Sequence, residues 1–255
     1  MCTLIVFDRL IPGYPVIAAA NRDELYARPA TGPLQLSTRP WVVGPRDDEA
    51  GGTWIGVSGG RFFAGLTNRP QGEARNSSPR SRGEVMMAAL GVGSVEAVIA
   101  EIGALPERRY NGFNLLCAGP EGAGLAVYGN EREARRLTPG VHILTNRGLN
   151  LPEDSKVRRI RKLLGDTAAL DSAEGALAVL ARVLADHEGA DILERVCIHS
   201  AIYGTRSSTL IALHEADPAR SVYRHTEGAS CETPWKDVSD LLHSAPVSRV
   251  KGDTA

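Results

Sequence analysis

The chain has 255 residues, 43% of them apolar and 23% charged, with a formal net charge of −1. This is enough apolar material for a sizeable core, and the balanced charge provides no field that would gather nucleic acid or an acidic membrane surface. No apolar run approaches the roughly 20 residues that cross a bilayer as a helix, and MCTLIVFDRL lacks the basic start and long apolar stretch of a secretory signal, so a cytoplasmic protein is expected.

The first half predicts strands. Short apolar runs at 3–7, 15–20, 41–44, 54–57 and 62–66 are rich in branched and aromatic residues and separated by Gly, Pro, Asp and Asn. The segment 69–79 (RPQGEARNSSP) has the composition of a mobile loop. Ser81 and Glu84, three residues apart, predict a capping box opening a helix over 82–92. Ser94 opens a second helix over 94–104, with Val95, Val98, Ile99 and Ile102 on one face. Strands are predicted again at 114–118, 124–128 and 142–145, then helices at 154–164 and 172–186. The tail predicts strands at 210–213 and 221–225 and a short helix over 235–242. No repeat or linker divides the chain, so one domain over 1–255 is expected. Several strand runs (LIVF, VIAAA, NLLCA) are apolar at every position, as in sheets covered on both faces. The fold class is therefore α+β with buried sheets.

Cys2, Cys117, Cys197 and Cys231 show no metal-type spacing, and the six histidines show no H-x-x-x-H or H-E-x-x-H pattern. No metal and no cofactor are expected. Cys117, Cys197 and Cys231 are expected as buried small apolar residues. Cys2 differs by position. Removal of Met1 would leave a residue carrying both a thiol and a free α-amine. The amine has a reference pKa of about 7.7 to 8.0, so near neutrality it can act as base toward its own side chain. Three polar sites follow strand runs: Asn21-Arg22-Asp23-Glu24, Thr67-Asn68 and Thr145-Asn146. An Asn amide can donate to a developing oxyanion. Gly51-Gly52-Thr53-Trp54 predicts a tight turn with close backbone approach. In Tyr203-Gly204-Thr205-Arg206, the arginine can receive a ligand carboxylate or phosphate.

MCTLIVF, AANRDELYARP, GGTWIGVS, GLTN, RSRGE, YNGFNLL, YGN, LTPGVHILTN and YGTRSSTLIAL together resemble the NRDE family, also called the transport and Golgi organisation 2 family. These motifs run in order from Met1 to about Leu213. The resemblance implies the N-terminal-nucleophile hydrolase fold, a four-layer α/β/β/α sandwich of two stacked, mostly antiparallel sheets. A more distant resemblance, to choloylglycine hydrolases and penicillin acylases, implies catalytic roles. Cys2 would be the nucleophile, Asp23 would orient it, and Asn68 and Asn146 would hold the oxyanion. Lys156 or Arg158 would come from the following helix. Asn21, Arg22, Trp54 and Arg206 complete the candidate binding set.

The pattern departs from those enzymes at one point. They carry an arginine three residues before the aspartate, where this chain has Ala20. Arg22 precedes Asp23 directly, and adjacent strand residues face opposite sides, so Arg22 is expected to face away from a cysteine addressed by Asp23.

Two functions fit these residues. One is hydrolysis of an amide or thioester of a small or lipid-derived acyl substrate. The other is non-catalytic binding or trafficking of haem or acyl-coenzyme A in the same pocket.

Overall fold

The computed structural model describes residues 2–71, 80–189, 191–192 and 194–243. Most of the loop expected over 69–79 lies outside them. The chain forms strands β1 (Thr3–Ile11), β2 (Tyr14–Leu25), β3 (Ala30–Thr38), β4 (Trp41–Asp47), β5 (Ile55–Ser58) and β6 (Phe62–Asn68). Helices α1 (Arg82–Val92) and α2 (Val95–Gly103) follow, then β7 (Phe113–Gly119), β8 (Gly122–Tyr128), β9 (Glu133–Arg136) and β10 (Gly140–Leu144). The last part contains α3 (Ser155–Leu164), α4 (Ala173–Leu184), β11 (Tyr203–Leu213), β12 (Val222–Thr226), β13 (Lys236–Asp237) and α5 (Asp240–His243).

The strands form two antiparallel sheets, β10-β1-β2-β11-β12-β13 and β3-β4-β5-β6-β7-β8-β9. Three apolar cores define the layers. Leu4, Val6, Val16, Ala18, Val57, Phe63 and Leu116 meet between the sheets. Ile5, Phe7, Ile17 and Ala19 pack against Val157 and Ile160 of α3 and Leu177 and Leu180 of α4. Ala64, Leu66 and Leu115 pack under Met86 and Leu90 of α1 and Val98 of α2. The order is thus helix, sheet, sheet, helix, as expected. Along Leu4–Phe7 of β1 and Val16–Ala19 of β2, even-numbered residues enter the inter-sheet core and odd-numbered ones the α3/α4 core. This follows from the period of two in a strand, and it explains why the runs LIVF of β1 and VIAAA of β2 are apolar at every position.

Some local expectations are corrected. Glu84 pairs with Arg80, so only the Ser81 half of the capping box forms, its hydroxyl accepting from the Gly83 amide at 3.1 Å. Ser94 makes no side-chain cap bond. Glu121 instead accepts from the Val95 amide at 3.1 Å. The helix expected over 235–242 is the short strand β13 followed by the single turn α5. Two strands were not predicted. β3 (ATGPLQLST) carries Gly and Pro and lies at a sheet edge, where both are tolerated. β9 (EARR) is an exposed edge strand with no apolar signal beyond one alanine.

Candidate active site

The β1–β2 register aligns Thr3 with Asn21 and Leu4 with Ala20. One step further along the same register sets Cys2 opposite Arg22. Residues directly opposite on antiparallel strands project to the same face, and the even-numbered face of these strands is the inter-sheet side. Cys2 and Arg22 therefore share that side, and both border one cavity. The Arg22 guanidinium stacks over Trp54, 4.2 Å from the ring centroid. This corrects the expectation that Arg22 faces away. The alternation was sound, but Cys2 lies on the arginine's side of the sheet.

Asp23 and Asn21 project to the helix side. Asp23 is buried, and its carboxylate accepts from the Thr205 hydroxyl at 2.7 Å. Lys156, also buried, faces it with its charge and donates to the Thr3 hydroxyl at 3.5 Å. Burial raises the Asp23 pKa, and Lys156 and Thr205 oppose that rise. Asp23 meets Cys2 through its backbone, whose amide hydrogen-bonds to the sulfur. Burial, the largest effect, pushes the Cys2 thiol up and the Asp23 charge adds to this, while the amino-terminal charge, the Asp23 amide and, least of these, Arg22 pull it down. Asn21 is fully engaged. It donates to the Leu184 and Val196 carbonyls, both at 2.9 Å, and accepts from Ser208 at 2.6 Å.

The cavity has a volume of about 650 Å³. One wall is the close approach of the Gly51-Gly52 turn to the start of α1. A Cβ on Gly52, at φ +74°, would lie 2.7 Å from the Gly83 carbonyl oxygen, and one on Gly83 would lie 2.6 Å from that of Gly51. Asn68 also lines the cavity, at the end of β6. Alternation along β6 sends Phe63 into the inter-sheet core and Ala64 and Leu66 toward α1. Asn68 therefore enters from the α1 side. Asn146 does not line the cavity. Its amide nitrogen donates to the Asn68 carbonyl at 2.5 Å. Thr67, on the inter-sheet side, donates to the Thr145 carbonyl at 3.1 Å, and Asn114 donates to that carbonyl and to Thr67 at 3.2 Å each.

The family model described as "Transport and Golgi organisation 2" matches residues 1–227. A Transport and Golgi organization protein 2 homolog from Bos taurus is 31% identical over 285 residues, covering 92% of this chain and 96% of that protein. The homolog from Homo sapiens is 30% identical over 251 residues, covering 85% and 90%. The chain belongs to the transport and Golgi organisation 2 family. Among solved structures, a mutant of conjugated bile acid hydrolase from Clostridium perfringens aligns with a TM-score of 0.58 at 12% identity, covering 96% of this chain and 95% of that one. Penicillin V acylase from Agrobacterium tumefaciens aligns at 0.53 and 12% identity, covering 94% and 88%. A Caenorhabditis elegans ortholog of N-acylethanolamine-hydrolyzing acid amidase aligns at 0.55 and 12% identity, covering 91% and 98%. At that identity the likeness concerns the fold, which is that of the N-terminal-nucleophile hydrolases.

In this member of the family, Cys2, Arg22, Trp54 and Asn68 border one cavity, whereas Asp23, Lys156, Asn21 and Asn146 stand behind it. Arg158 is exposed and donates to the Pro152 carbonyl at 2.9 Å, so of the two α3 candidates Lys156 is the one at the site. Arg206 occupies a bulge between Thr205 and Ser207. It lines an adjoining cavity of about 230 Å³ that shares Arg22 and Trp54 with the first. Sequence reasoning missed Arg28, Arg80, Arg82 and Asn111, all of which line the larger cavity. They lie in the motifs ARP, RSRGE and YNGFN, whose polar residues were available as a signal.

Proposed function

We propose that this protein is an N-terminal-cysteine hydrolase that cleaves an amide or thioester bond of an acyl substrate carrying an anionic group. The observation that carries this reading is Cys2 opening on the cavity with Arg22 beside it and Asn68 in the same lining. Removal of Met1 supplies the α-amine. That amine takes the thiol proton, and the sulfur attacks the substrate carbonyl. The Asn68 side-chain amide donates to the oxyanion as the tetrahedral centre forms, and Asn146 steadies the Asn68 backbone. The amine returns the proton to the leaving nitrogen or sulfur, leaving a thioester on Cys2. Water, deprotonated by the same amine, then releases the acid and restores the thiol. Asp23, anchored by Thr205 and Lys156, orients Cys2 through its backbone amide.

The lining supports the substrate class. Leu25, Trp54 and Leu66 offer apolar surface, and Arg22, Arg28, Arg80 and Arg82 outnumber Glu24 and Asp47. Guanidinium groups are suited to carboxylates and phosphates. Proteins of similar fold are named hydrolase, acylase and amidase, which supports the reaction class. No helix among the described residues is long and apolar enough to cross a membrane, and we place the activity in the cytoplasm.

The same cationic lining favours a second reading, in which the pocket carries acyl-coenzyme A or haem without turnover. Intact mass after incubation with acyl amides and thioesters separates the two. The hydrolase reading expects loss of Met1, an acyl adduct on Cys2, no turnover by Cys2→Ala and a small residual rate in Cys2→Ser. Haem binding whose absorption spectrum changes in Cys2→Ala, with no turnover of any substrate in the panel, would replace it by the carrier reading.

A further inference from the structure

Away from the cavity, four metal-ligating side chains from three chain segments converge. His187 follows α4, Cys197 and His199 lead into β11, and Cys231 lies in the loop between β12 and β13. The Cys197 sulfur is 3.6 Å from the Cys231 sulfur and 3.6 Å from His199 Nε2, and His199 Nε2 is 3.1 Å from the Cys231 sulfur. The ligating atoms of His187, His199 and Cys231 all lie within 4.8 Å of one another.

Cys197 is not one of that trio, so the two sets meet at His199 and Cys231. The Cys197–Cys231–His199 spacings are close to those of three corners of a tetrahedral site, and the exposed His187 side chain has to swing inward to supply the fourth. With Zn–S near 2.3 Å and Zn–N near 2.0 to 2.1 Å, two thiolates on one zinc are about 3.8 Å apart, and a thiolate and an imidazole nitrogen about 3.6 Å. Two of the three close distances match. The third is a hydrogen-bond length that has to open by about half an ångström when a cation takes the proton's place. The outer partners also fit. His187 Nδ1 is 3.2 Å from the Ala185 carbonyl, which leaves Nε2 as the donor. His199 Nδ1 faces the Glu232 carboxylate at 3.8 Å while its Nε2 points into the cluster. Histidine ligands are commonly held in this way, by a carbonyl or carboxylate on the second ring nitrogen.

We propose that Cys197, Cys231, His199 and His187 form a structural Cys₂His₂ site for a zinc-type divalent cation. Two thiolates and two imidazoles suit a borderline-soft ion of tetrahedral habit, and a hard cation would require oxygen ligands. Binding exchanges the two thiol protons for the ion. The sequence hides the site, because the ligand order is H-x₉-C-x-H with the last cysteine 32 residues beyond His199. Cys197 is buried and His187 exposed, so the ion would enter from the His187 side. The site would pin the segment that carries Ile198, whose amide donates to the Thr205 hydroxyl at 2.9 Å, and the same hydroxyl anchors Asp23.

The test uses untagged, full-length protein prepared in reductant without chelator. Bound zinc is measured by elemental analysis, and metal-stripped protein is titrated with Co²⁺. One zinc per chain is expected, together with a Co²⁺ spectrum showing thiolate charge-transfer and tetrahedral d–d bands. Cys231→Ser, at a half-buried position, should lose most of the charge-transfer intensity. His187→Gln, at an exposed position outside the packed core, should weaken Co²⁺ binding at least 10-fold. Cys2→Ala should leave the bands intact, which separates this site from the cavity and from the hydrolase reading. Absence of bound zinc and of Co²⁺ bands would overturn the proposal, as would bands that survive Cys231→Ser or disappear in Cys2→Ala. Unchanged affinity in His187→Gln would overturn the four-ligand site. A mass two hydrogens lower under reductant, mapped to a Cys197–Cys231 disulfide, would replace it by a redox pair.

Discussion

Cys2 and Arg22 face each other across the β1–β2 ladder and project to the same side of the sheet. Ala20, which stands where the distant hydrolases carry arginine, lies two residues from Arg22 on that same face and packs at the edge of the inter-sheet core. Residues two apart on a strand share a face. A guanidinium at position 22 can thus serve the sulfur from one pleat nearer the strand end, and the chain retains the charge although the motif position is empty.

This arrangement makes a prediction that needs no substrate. Arg22 favours the thiolate, whereas burial opposes it. Removing the charge raises the thiol pKa, so the rate of Cys2 alkylation by iodoacetamide should rise at higher pH in Arg22→Ala than in wild type. Arg22→Lys should retain most of the wild-type profile. Superimposable profiles for wild type and Arg22→Ala would mean that the guanidinium does not act on the sulfur.

A second prediction addresses the two asparagines. In a measured hydrolysis, Asn68→Ala should lower kcat by about 10²- to 10³-fold with little change in KM, as for loss of one oxyanion donor. Asn146→Ala should cost less, because Asn146 acts on the Asn68 carbonyl and stands outside the cavity. A larger kcat loss in Asn146→Ala than in Asn68→Ala would reverse the assignment of donor and support.

Much of the fold was legible because burial on both faces leaves a continuous apolar signature, as in LIVF and VIAAA. β3 and β9 were not, since edge strands need little apolar content and these are rich in Gly and Pro or in charge. At the site, Cys2 and Asp23 were found through motif and position. The face each uses was not, because it depends on the β1–β2 register, which is set by pairing across the hairpin. Arg158 and Lys156 are two residues apart on α3, and only the packing of that helix decides that Lys156 turns inward. The Cys197–Cys231 cluster was invisible for the same reason, since its members meet only after β11 and β12 have paired.

A third prediction concerns the cavity wall. Gly52 has a positive φ and lies against the Gly83 carbonyl. Gly52→Ala introduces both a strained backbone conformation and a steric clash with main chain. It should destabilise the protein by about 1–3 kcal/mol in urea unfolding. Gly59→Ala is a useful control, because its φ is +56° but nothing lies within 4 Å of the added Cβ. The control should cost less, and equal losses would show that conformation alone, without the close approach to α1, sets the penalty.

The last prediction is a pH dependence of stability. His225 is buried at 3% exposure, and burial lowers its pKa to about 4. Its Nδ1 lies 3.1 Å from the Thr209 hydroxyl. In the unfolded chain a histidine titrates near pH 6.5. Between those values the unfolded state binds a proton that the folded state refuses, so stability rises with pH across that window. Above about pH 7 both states are neutral and the contribution is fully present. As pH falls from about 6.5 toward 4 the contribution is lost, by up to about 3 kcal/mol. His142, also lowered chiefly by burial, acts in the same direction. Urea midpoints should therefore fall between pH 7.5 and pH 5, and His225→Gln should flatten part of that fall while keeping a polar partner for Thr209. The readout is the slope against pH, because the substitution also changes packing equally at every pH. A His225→Gln slope equal to that of wild type would assign the acid sensitivity to other groups, with His142 the next to test.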